Sequence, residues 1–198
     1  MIIGITGGTG CGKTTLLDVI SALGGTVLDC DAIYHELLRT DPALLAAIGT
    51  RFPGTVEDGQ LQRKKLGIVV FSDPAALQDL NAITHKAVKQ EVLRRLPAAG
   101  RLAAIDAIAL FEGGLAALCD TTVAVTAPVE DRIRRLMARD GITREYALSR
   151  IRAQKDEAYF RTCCAHVLEN TGTQAEFQIK CLAFLREIGI MKAADASL

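Results

Sequence analysis

The sequence predicts a three-layer α/β fold, in which helices cover both faces of a parallel β-sheet. Along much of the 198-residue chain, apolar runs that suit strands alternate with stretches of helical periodicity. The strand-like runs are apolar throughout, which is typical of parallel strands that are buried on both faces. A glycine-rich loop joins the first strand to the first helix, and successive strands are expected to connect through right-handed crossovers.

The N-terminal elements are set by an apolar run, an amphipathic stretch and a pair of glycines. Residues 1–6 are apolar and predict a buried strand, and residues 14–23 have the apolar spacing of a helix. Gly24 and Gly25 end that helix, because glycine readily leaves the helical conformation. A short second strand is predicted at 26–29.

Helical patterns replace strands between residues 32 and 96, where only residues 68–71 give a doubtful strand signal. The predicted helices cover 32–39, 42–52 and 74–96. Pro42 and Pro74, each preceded by aspartate, suit the first turn of a helix with an aspartate cap. A segment of about 65 residues is too long for a simple crossover helix. We therefore predict a helical insertion at 32–96 that covers the carboxyl edge of the sheet, where ligand sites of such folds lie.

Strand signals return in the second half of the chain and alternate there with helices. The predicted strands cover 102–110, 121–126 and 165–168, and the predicted helices cover 128–139, 144–158 and 173–188. Residues 1–31 and 97–198 therefore form the predicted core. The sequence has no internal repeat and no low-complexity linker.

Composition limits the classes of function. The chain has 23 basic and 23 acidic residues, which disfavours a nucleic-acid partner because a phosphate backbone demands an excess of positive charge. No apolar run reaches the length of a membrane span, and the chain opens on its first strand and not on a leader pattern. The six cysteines lack C-x-x-C spacing, which favours small buried groups in a reducing compartment. We expect a cytoplasmic protein without a membrane partner.

Residues 7–14, G-G-T-G-C-G-K-T, fit the pattern G-x-x-x-x-G-K-[ST] of loops that bind nucleotide phosphates. Glycines let the backbone approach the phosphates closely, and the N-terminus of the following helix offers unpaired N–H groups. Lys13 adds a positive charge at the β- and γ-phosphates, and the Thr14 hydroxyl is placed to ligate Mg²⁺. The thiol of Cys11 is either reactive or a simple packing group.

Three aspartates near the predicted ligand edge have alternative roles. Asp31, at the end of the second strand, either accepts the proton of an attacking hydroxyl or caps the next helix, and Asp29 is the rival base. Asp106 lies in an apolar strand. It either holds the Mg²⁺ shell through water, caps a helix or forms an internal ion pair. The residues alone leave these alternatives open.

Seven arginines fall within 21 residues of a predicted helical hairpin. They are Arg132, Arg134, Arg135, Arg139, Arg144, Arg150 and Arg152. Three of them, Arg132, Arg135 and Arg139, have helical spacing and share one face. We interpret the hairpin at about 132–152 as a lid over a triphosphate, and a solvated basic surface is the alternative.

Residues 4–15, G-I-T-G-G-T-G-C-G-K-T-T, resemble the opening G-L-T-G-G-I-G-S-G-K-S-T of the dephospho-CoA kinase family. Further segments similar to family motifs are 29–33 (D-C-D-A-I), 58–66 (D-G-Q-L-Q-R-K-K-L), 70–73 (V-F-S-D), 80–85 (L-N-A-I-T-H), 110–112 (L-F-E), 135–141 (R-L-M-A-R-D-G), 150–154 (R-I-R-A-Q) and 170–172 (N-T-G). The phosphate loop is shared with many kinases, whereas the later motifs, in this order, are specific.

The resemblance implies a P-loop kinase that transfers the γ-phosphoryl group of ATP, with Mg²⁺, to the ribose 3′-hydroxyl of dephospho-CoA, the last step of CoA synthesis. It implies that Asp31, and not Asp29, is the catalytic base, and that the insertion at 32–96 binds the CoA substrate. The catalytic residues that it implies are Asp31, Lys13 and Arg139. The implied ATP-binding residues are Gly8, Gly10, Cys11, Gly12, Lys13, Thr14, Thr15, Arg139 and Asn170. The implied substrate-binding residues are Asp31, His35, Phe71, His85, Phe111 and Glu112.

The chain departs from the family pattern at four places. Neither the motifs nor these departures indicate an oligomeric state. Tyr34-His35 stand in place of Ala-Arg, Lys86 in place of Pro, Ile108-Ala109 in place of Pro-Leu, and His166 in place of Asp. None of these changes falls on the residues implied to be catalytic.

Overall fold

A five-stranded parallel sheet forms the centre of the molecule in a computed structural model that describes residues 1–191. The five strands of this sheet are β1 (Ile2–Thr6), β2 (Thr26–Asp29), β5 (Ala103–Asp106), β6 (Thr121–Thr126) and β7 (His166–Glu169), and a separate two-stranded hairpin consists of β3 (Val56–Glu57) and β4 (Gln60–Leu61). The sheet has the order β2-β5-β1-β6-β7, and all of its neighbouring strands are parallel. This arrangement confirms the predicted parallel α/β fold.

Nine α-helices surround the sheet among the described residues. They are α1 (Lys13–Ala22), α2 (Cys30–Thr40), α3 (Pro42–Arg51), α4 (Arg63–Ser72), α5 (Pro74–Arg95), α6 (Val129–Asp140), α7 (Arg144–Arg152), α8 (Glu157–Cys163) and α9 (Gln174–Glu187). The side chains of Asp41 and Asp73 accept hydrogen bonds from the first turns of α3 and α5, and each is followed by proline. The predicted aspartate caps are therefore confirmed.

Apart from shifts of one or two residues at element ends, four features differ from the sequence prediction. Residues 68–71 are helical and belong to α4, and the antiparallel hairpin of β3 and β4 was not predicted. The predicted strand at 102–110 ends at Asp106, because the chain then turns and the N–H of Gly113 bonds back to the carbonyl of Ala109. The predicted helix at 144–158 is two helices, since Asp156 caps a new helix by accepting the N–H of Tyr159.

Hydrophobic clusters lie on both faces of the sheet. On one face, Leu28 and Ile105 of the sheet pack in a single cluster with Ile48 of α3 and Val92 of α5. On the other face, strand residues pack against α1 and α9, where Phe177 is 1% exposed. The three-layer architecture follows from these two clusters. None of the helices within residues 1–191 is long and apolar enough to cross a membrane.

Candidate active site

The glycine-rich loop turns sharply between β1 and α1. Gly10 and Gly12 have φ angles of 77° and 93°, a conformation that side chains other than glycine rarely adopt. A Cβ atom on Gly8 would lie 2.2 Å from Nη2 of Arg132, so a larger residue there would displace that guanidinium. Gly12 begins α1 without a side-chain cap, and Nζ of Lys13 donates to the carbonyl of Gly7 over 3.0 Å. The loop is thus a cradle of backbone N–H groups with a lysine beside it.

The cradle opens onto a polar cavity of about 690 Å³, which we call the phosphate cavity. Its wall includes Gly8, Gly10, Gly12, Lys13 and Thr14 of the loop, Asp31 and Asp106, and Arg135, Arg139, Arg150 and Gln154. The loop, Asp31 and Asp106 follow or end β1, β2 and β5, so three parallel strands deliver them to one edge of the sheet.

Asp29 and Asp31 have different environments. Oδ1 of Asp29 accepts the N–H of Ala32 over 2.9 Å and caps α2. The alternative in which Asp31 is the cap is therefore wrong. Asp31 lies in the first turn of α2, where it lines the phosphate cavity and also a second cavity of about 150 Å³. This second space, which we call the small cavity, is lined by His85 and Tyr34 as well. Asp31 is thus placed between the two cavities.

Asp106 is the last residue of β5, and one of its carboxylate oxygens is buried without a hydrogen bond to the described residues. Its Oδ1 is buried and has no hydrogen-bond partner among residues 1–191. Burial raises the pKa of this carboxyl to about 6, the charges of Asp29 and Asp31 act in the same direction, and the charge of Lys13 opposes them. The cap and ion-pair alternatives find no partner in the described part of the chain, which leaves a carboxylate oxygen available at the phosphate cavity.

Helix α6 braces the loop from the side. Arg132 is only 7% exposed, and its Nε donates to the carbonyl of Thr9 over 2.9 Å. The N–H of Thr9 donates to Oε1 of Gln154 over 2.8 Å, and Nη2 of Arg132 lies 3.4 Å from the same oxygen. The sequence interpretation of Arg132 as part of an arginine face over the triphosphate is thus wrong, because its guanidinium binds loop backbone. Gln154 lies within the motif at 150–154, but its residue type and spacing alone do not indicate this contact with the loop.

Arg135 and Asn170 brace the same loop from beneath. Nη1 of Arg135 lies 3.2 Å from the carbonyl of Gly10, and its Nη2 lies 3.1 Å from Oδ1 of Asn170. Nδ2 of the buried Asn170 donates to the carbonyl of Cys11 over 2.9 Å. Asn170 therefore contacts the loop from behind and is not among the residues that line the phosphate cavity.

Arg139 reaches the wall of the phosphate cavity together with Arg150. Each lies 2.6 Å from a carboxylate oxygen of Asp140, so one carboxylate holds both cations. Their hydrogen bonds lower the pKa of Asp140 to about 2. The arginines of the hairpin thus differ: Arg132 contacts the loop and Gln154, Arg135 contacts the loop and also lines the phosphate cavity, and Arg139 and Arg150 line the cavity while paired with Asp140.

Cys11 and Thr15 lie beneath the loop surface. Cys11 is 3% exposed and belongs to the hydrophobic cluster of α1 and α9, and burial raises the pKa of its thiol. This environment favours the packing interpretation over a reactive thiol. The N–H of Thr15 donates to the carbonyl of Gly12 over 3.2 Å, which continues α1 from the loop.

The residues implied to bind substrate do not all converge. His85 joins Asp31 at the small cavity. His35 is exposed, Phe111 is partly buried against hydrophobic clusters, and Oε1 of Glu112 accepts the hydroxyl of Tyr159 over 3.0 Å. Phe71 is 86% exposed on α4 and lines neither cavity.

The fold and the site together define a P-loop kinase. A phosphate loop with its lysine follows the central strand of a parallel sheet, and aspartates at the ends of the next two strands on one side, β5 and β2, complete the cavity. The family model described as dephospho-CoA kinase matches residues 1–176. The chain belongs to the dephospho-CoA kinase family.

Relatives resemble the chain over most of its length. A dephospho-CoA kinase from Thermus thermophilus is 39% identical over 191 residues, which cover 95% of this chain and 92% of the relative. A dephospho-CoA kinase from Anaeromyxobacter dehalogenans is 40% identical over 177 residues, or 86% and 84% of the two chains. A crystal structure from Thermus thermophilus has a TM-score of 0.79 and 37% identity, and covers 95% of this chain and 97% of its own.

Proposed function

We propose that the protein transfers the γ-phosphoryl group of ATP to the ribose 3′-hydroxyl of dephospho-CoA, which gives CoA and ADP. The observation that carries this function is the position of Asp31 between the phosphate cavity and the small cavity. A donor triphosphate in one cavity and an acceptor hydroxyl at the other meet at this carboxylate. The family of the chain identifies the acceptor.

The residues of the site act by position and charge. Phosphoryl transfer needs little covalent help from a protein, so holding the triphosphate and the acceptor in line provides most of the catalysis. The loop N–H groups, Lys13 and Arg139 bind the triphosphate and stabilise the charge on the transferring group. Asp31 orients the 3′-hydroxyl and accepts its proton.

Thr14 and Asp106 suit a magnesium ion. Both line the phosphate cavity, and Oδ1 of Asp106 is buried there without a partner within residues 1–191. Hydroxyl and carboxylate oxygens are ligands that Mg²⁺ prefers, with Asp106 placed to act directly or through water. When bound, the ion neutralises phosphate charge.

The insertion and the hairpin have separate proposed tasks. Residues 32–96 bind the CoA portion of the acceptor, and the hairpin at about 132–152 closes over the triphosphate. His35, Phe71, Phe111 and Glu112 remain predicted acceptor contacts. We place the protein in the cytoplasm, where ATP and the acceptor are available.

An assay of the purified protein with ATP, Mg²⁺ and dephospho-CoA tests this function, with CoA detected by mass. We expect a product heavier by one phosphoryl group, and no product when Lys13→Ala replaces the wild type. Phosphate on a nucleoside monophosphate and none on dephospho-CoA would instead identify a nucleotide kinase of the same fold.

A further inference from the structure

The cationic side chain of Arg63, which no sequence motif links to a role, lies beside His35, the neighbour of a residue that lines the small cavity. Tyr34 forms part of the cavity wall, and its ring centroid lies 5.6 Å from that of His35. Nη2 of Arg63, the first residue of α4, lies 3.4 Å from Nδ1 of His35. Burial raises the pKa of the Tyr34 phenol, and the charge of Arg63 opposes that effect. Arg63 is therefore linked to the wall of the small cavity through His35 and Tyr34 and does not itself line it.

Arg63 is available to bind a ligand. It is exposed, and none of the ion pairs between described residues includes it. Its charge has no carboxylate to neutralise it within 4 Å in the described chain, unlike that of the neighbouring Lys65, which pairs with Glu57. The family pattern has arginine at position 35, where this chain has histidine. In this chain Arg63 therefore supplies the permanent positive charge beside that position.

Among residues 1–191, a third cavity shares no wall residue with the small cavity. It has a volume of about 420 Å³, lies between the end of α2 and the β3–β4 hairpin, and includes Arg63 in its wall. Arg39, one helical turn after His35, contributes a second guanidinium, and Asp58 and Gln60 contribute hydrogen-bond acceptors. Contacts thus link Asp31 to Arg63 through the small cavity, Tyr34 and His35, and Arg63 in turn lines the third cavity.

This order matches the order of chemical groups in the acceptor. In dephospho-CoA, the ribose carries a diphosphate on its 5′-carbon, and the pantetheine arm with its two amides follows the diphosphate. A ribose whose 3′-hydroxyl lies at Asp31 must direct the diphosphate away from the phosphate cavity, because two polyphosphates would repel each other there. The small cavity, at about 150 Å³, cannot hold the whole acceptor, so the remainder extends past its outer side.

We propose that Arg63 binds the diphosphate of dephospho-CoA, and that the pantetheine arm continues into the third cavity between α2 and the β3–β4 hairpin. The planar guanidinium offers paired N–H donors that match phosphate oxygens, a geometry that lysine does not reproduce. The inference rests on the proposed function, since that function supplies the identity of the acceptor. It makes Arg63 a binding residue for the acceptor and gives it no part in the chemical step.

Steady-state kinetics of Arg63→Ala test this assignment. We expect the KM for dephospho-CoA to rise about 10- to 100-fold, whereas kcat and the KM for ATP stay within about threefold of the wild type. Arg63→Lys keeps the positive charge but loses the paired N–H donors of the guanidinium. Its KM for dephospho-CoA should therefore lie between those of the wild type and Arg63→Ala. Calorimetric binding of dephospho-CoA, measured without ATP, should weaken by the same factor in Arg63→Ala. Arg63 is exposed, so we expect both variants to fold, which circular dichroism checks.

Two matched variants make the result specific. Arg186→Ala removes an exposed arginine on α9, which packs on the other face of the sheet, and should leave both KM values unchanged. Lys89→Ala removes the cation beside Gly114, near the small cavity. The assignment is wrong if Lys89→Ala weakens the binding of dephospho-CoA and Arg63→Ala does not. It is also wrong if Arg63→Ala weakens the binding of ATP as much as that of dephospho-CoA. A wild type that neither binds nor phosphorylates dephospho-CoA would contradict the proposed function itself.

Discussion

Asp29 and Asp31 flank Cys30 at the point where β2 passes into α2, and the start of the helix determines what each carboxylate does. Asp29 is the last residue outside the helix, so its side chain reaches back to the N–H of Ala32. Asp31 lies two residues further on, in the first turn of α2, and lines the two cavities instead. Residue type alone could not separate the two roles, because aspartate suits both.

Exchange of each aspartate should therefore have a different consequence. Asp31→Asn should lower kcat by about a hundredfold or more and change the KM for ATP little, because the amide cannot accept the proton of the acceptor hydroxyl. Asp29→Ala should instead lower the free energy of unfolding by about 1 kcal/mol through loss of the cap. Kinetics and chemical denaturation of both variants measure this. If Asp31→Asn turns over at the wild-type rate, Asp31 is not the catalytic base.

The burial of a single carboxyl group, that of Asp106, predicts that the stability of the protein depends on pH. Its pKa in the folded protein is about 6, against 3.8 for an ordinary aspartate, so the native state binds more protons than the unfolded state between these pH values. The free energy of unfolding should therefore fall as pH rises from about 4 to 6 and stay low above 6. The difference between these pKa values corresponds to about 3 kcal/mol.

Asp106→Asn should abolish that loss. We expect this variant to be more stable than the wild type by about 2–3 kcal/mol at pH 8 and equally stable near pH 4, because the amide carries no charge to bury. Urea denaturation without nucleotide or metal gives the values. Asp18→Asn, at an exposed position on α1, is the control and should show no such trend. A stability difference that does not change with pH would contradict the burial argument.

At the scale of elements, the sequence predicted best where local chemistry decides. The aspartate and proline pairs fixed the starts of α3 and α5, and the apolar runs fixed β2 and β6. It predicted worst where distant contacts decide. The apolar run 102–110 continues past the end of β5, but its last residues turn away to form the wall beside Asp31. The run 68–71 has strand-like residues, yet it lies in a helix that packs on α5.

The contact between the phosphate loop and α6 gives a prediction for these elements. A Cβ atom on Gly10 would lie 2.9 Å from the carbonyl oxygen of Arg132, which is backbone and cannot move without α6. Gly10→Ala should therefore displace the loop and raise the KM for ATP by about tenfold or more. Gly54 has the same φ of 77° but no atom within 4 Å of the added carbon.

Gly54→Ala is therefore the matched control for backbone strain. It should lower stability by about 1 kcal/mol, as expected for a non-glycine residue at positive φ, with the KM for ATP unchanged. Both variants are compared by ATP kinetics and thermal denaturation. If the two alanines raise the KM for ATP alike, backbone strain and not the contact with α6 explains the effect.

At the scale of the whole molecule, the site combines what a motif predicts with what only the fold shows. The motif predicts from sequence alone that the loop, Lys13 and Thr14 contact the phosphates. The bracing of the loop depends on Arg132, Arg135 and Asn170, which are more than 120 residues away along the chain. Periodicity can show that arginines share a helix face, but it cannot show which of them point at backbone and which at a cavity.

The hydrophobic cluster that the sheet shares with α3 and α5 predicts that the insertion and the sheet unfold together. Ile48 of α3 is fully buried in the cluster that contains Leu28 and Ile105 of the sheet, so the insertion has no separate core in this region. Ile48→Ala should lower the free energy of unfolding by about 2–5 kcal/mol and keep a single transition. Ile179→Ala, at a 65% exposed position on α9, should change it by less than about 0.5 kcal/mol. Hydrogen exchange read by mass spectrometry should show peptides from 32–96 and from the sheet losing protection equally, and loss confined to 32–96 would instead mark an independently unfolding insertion.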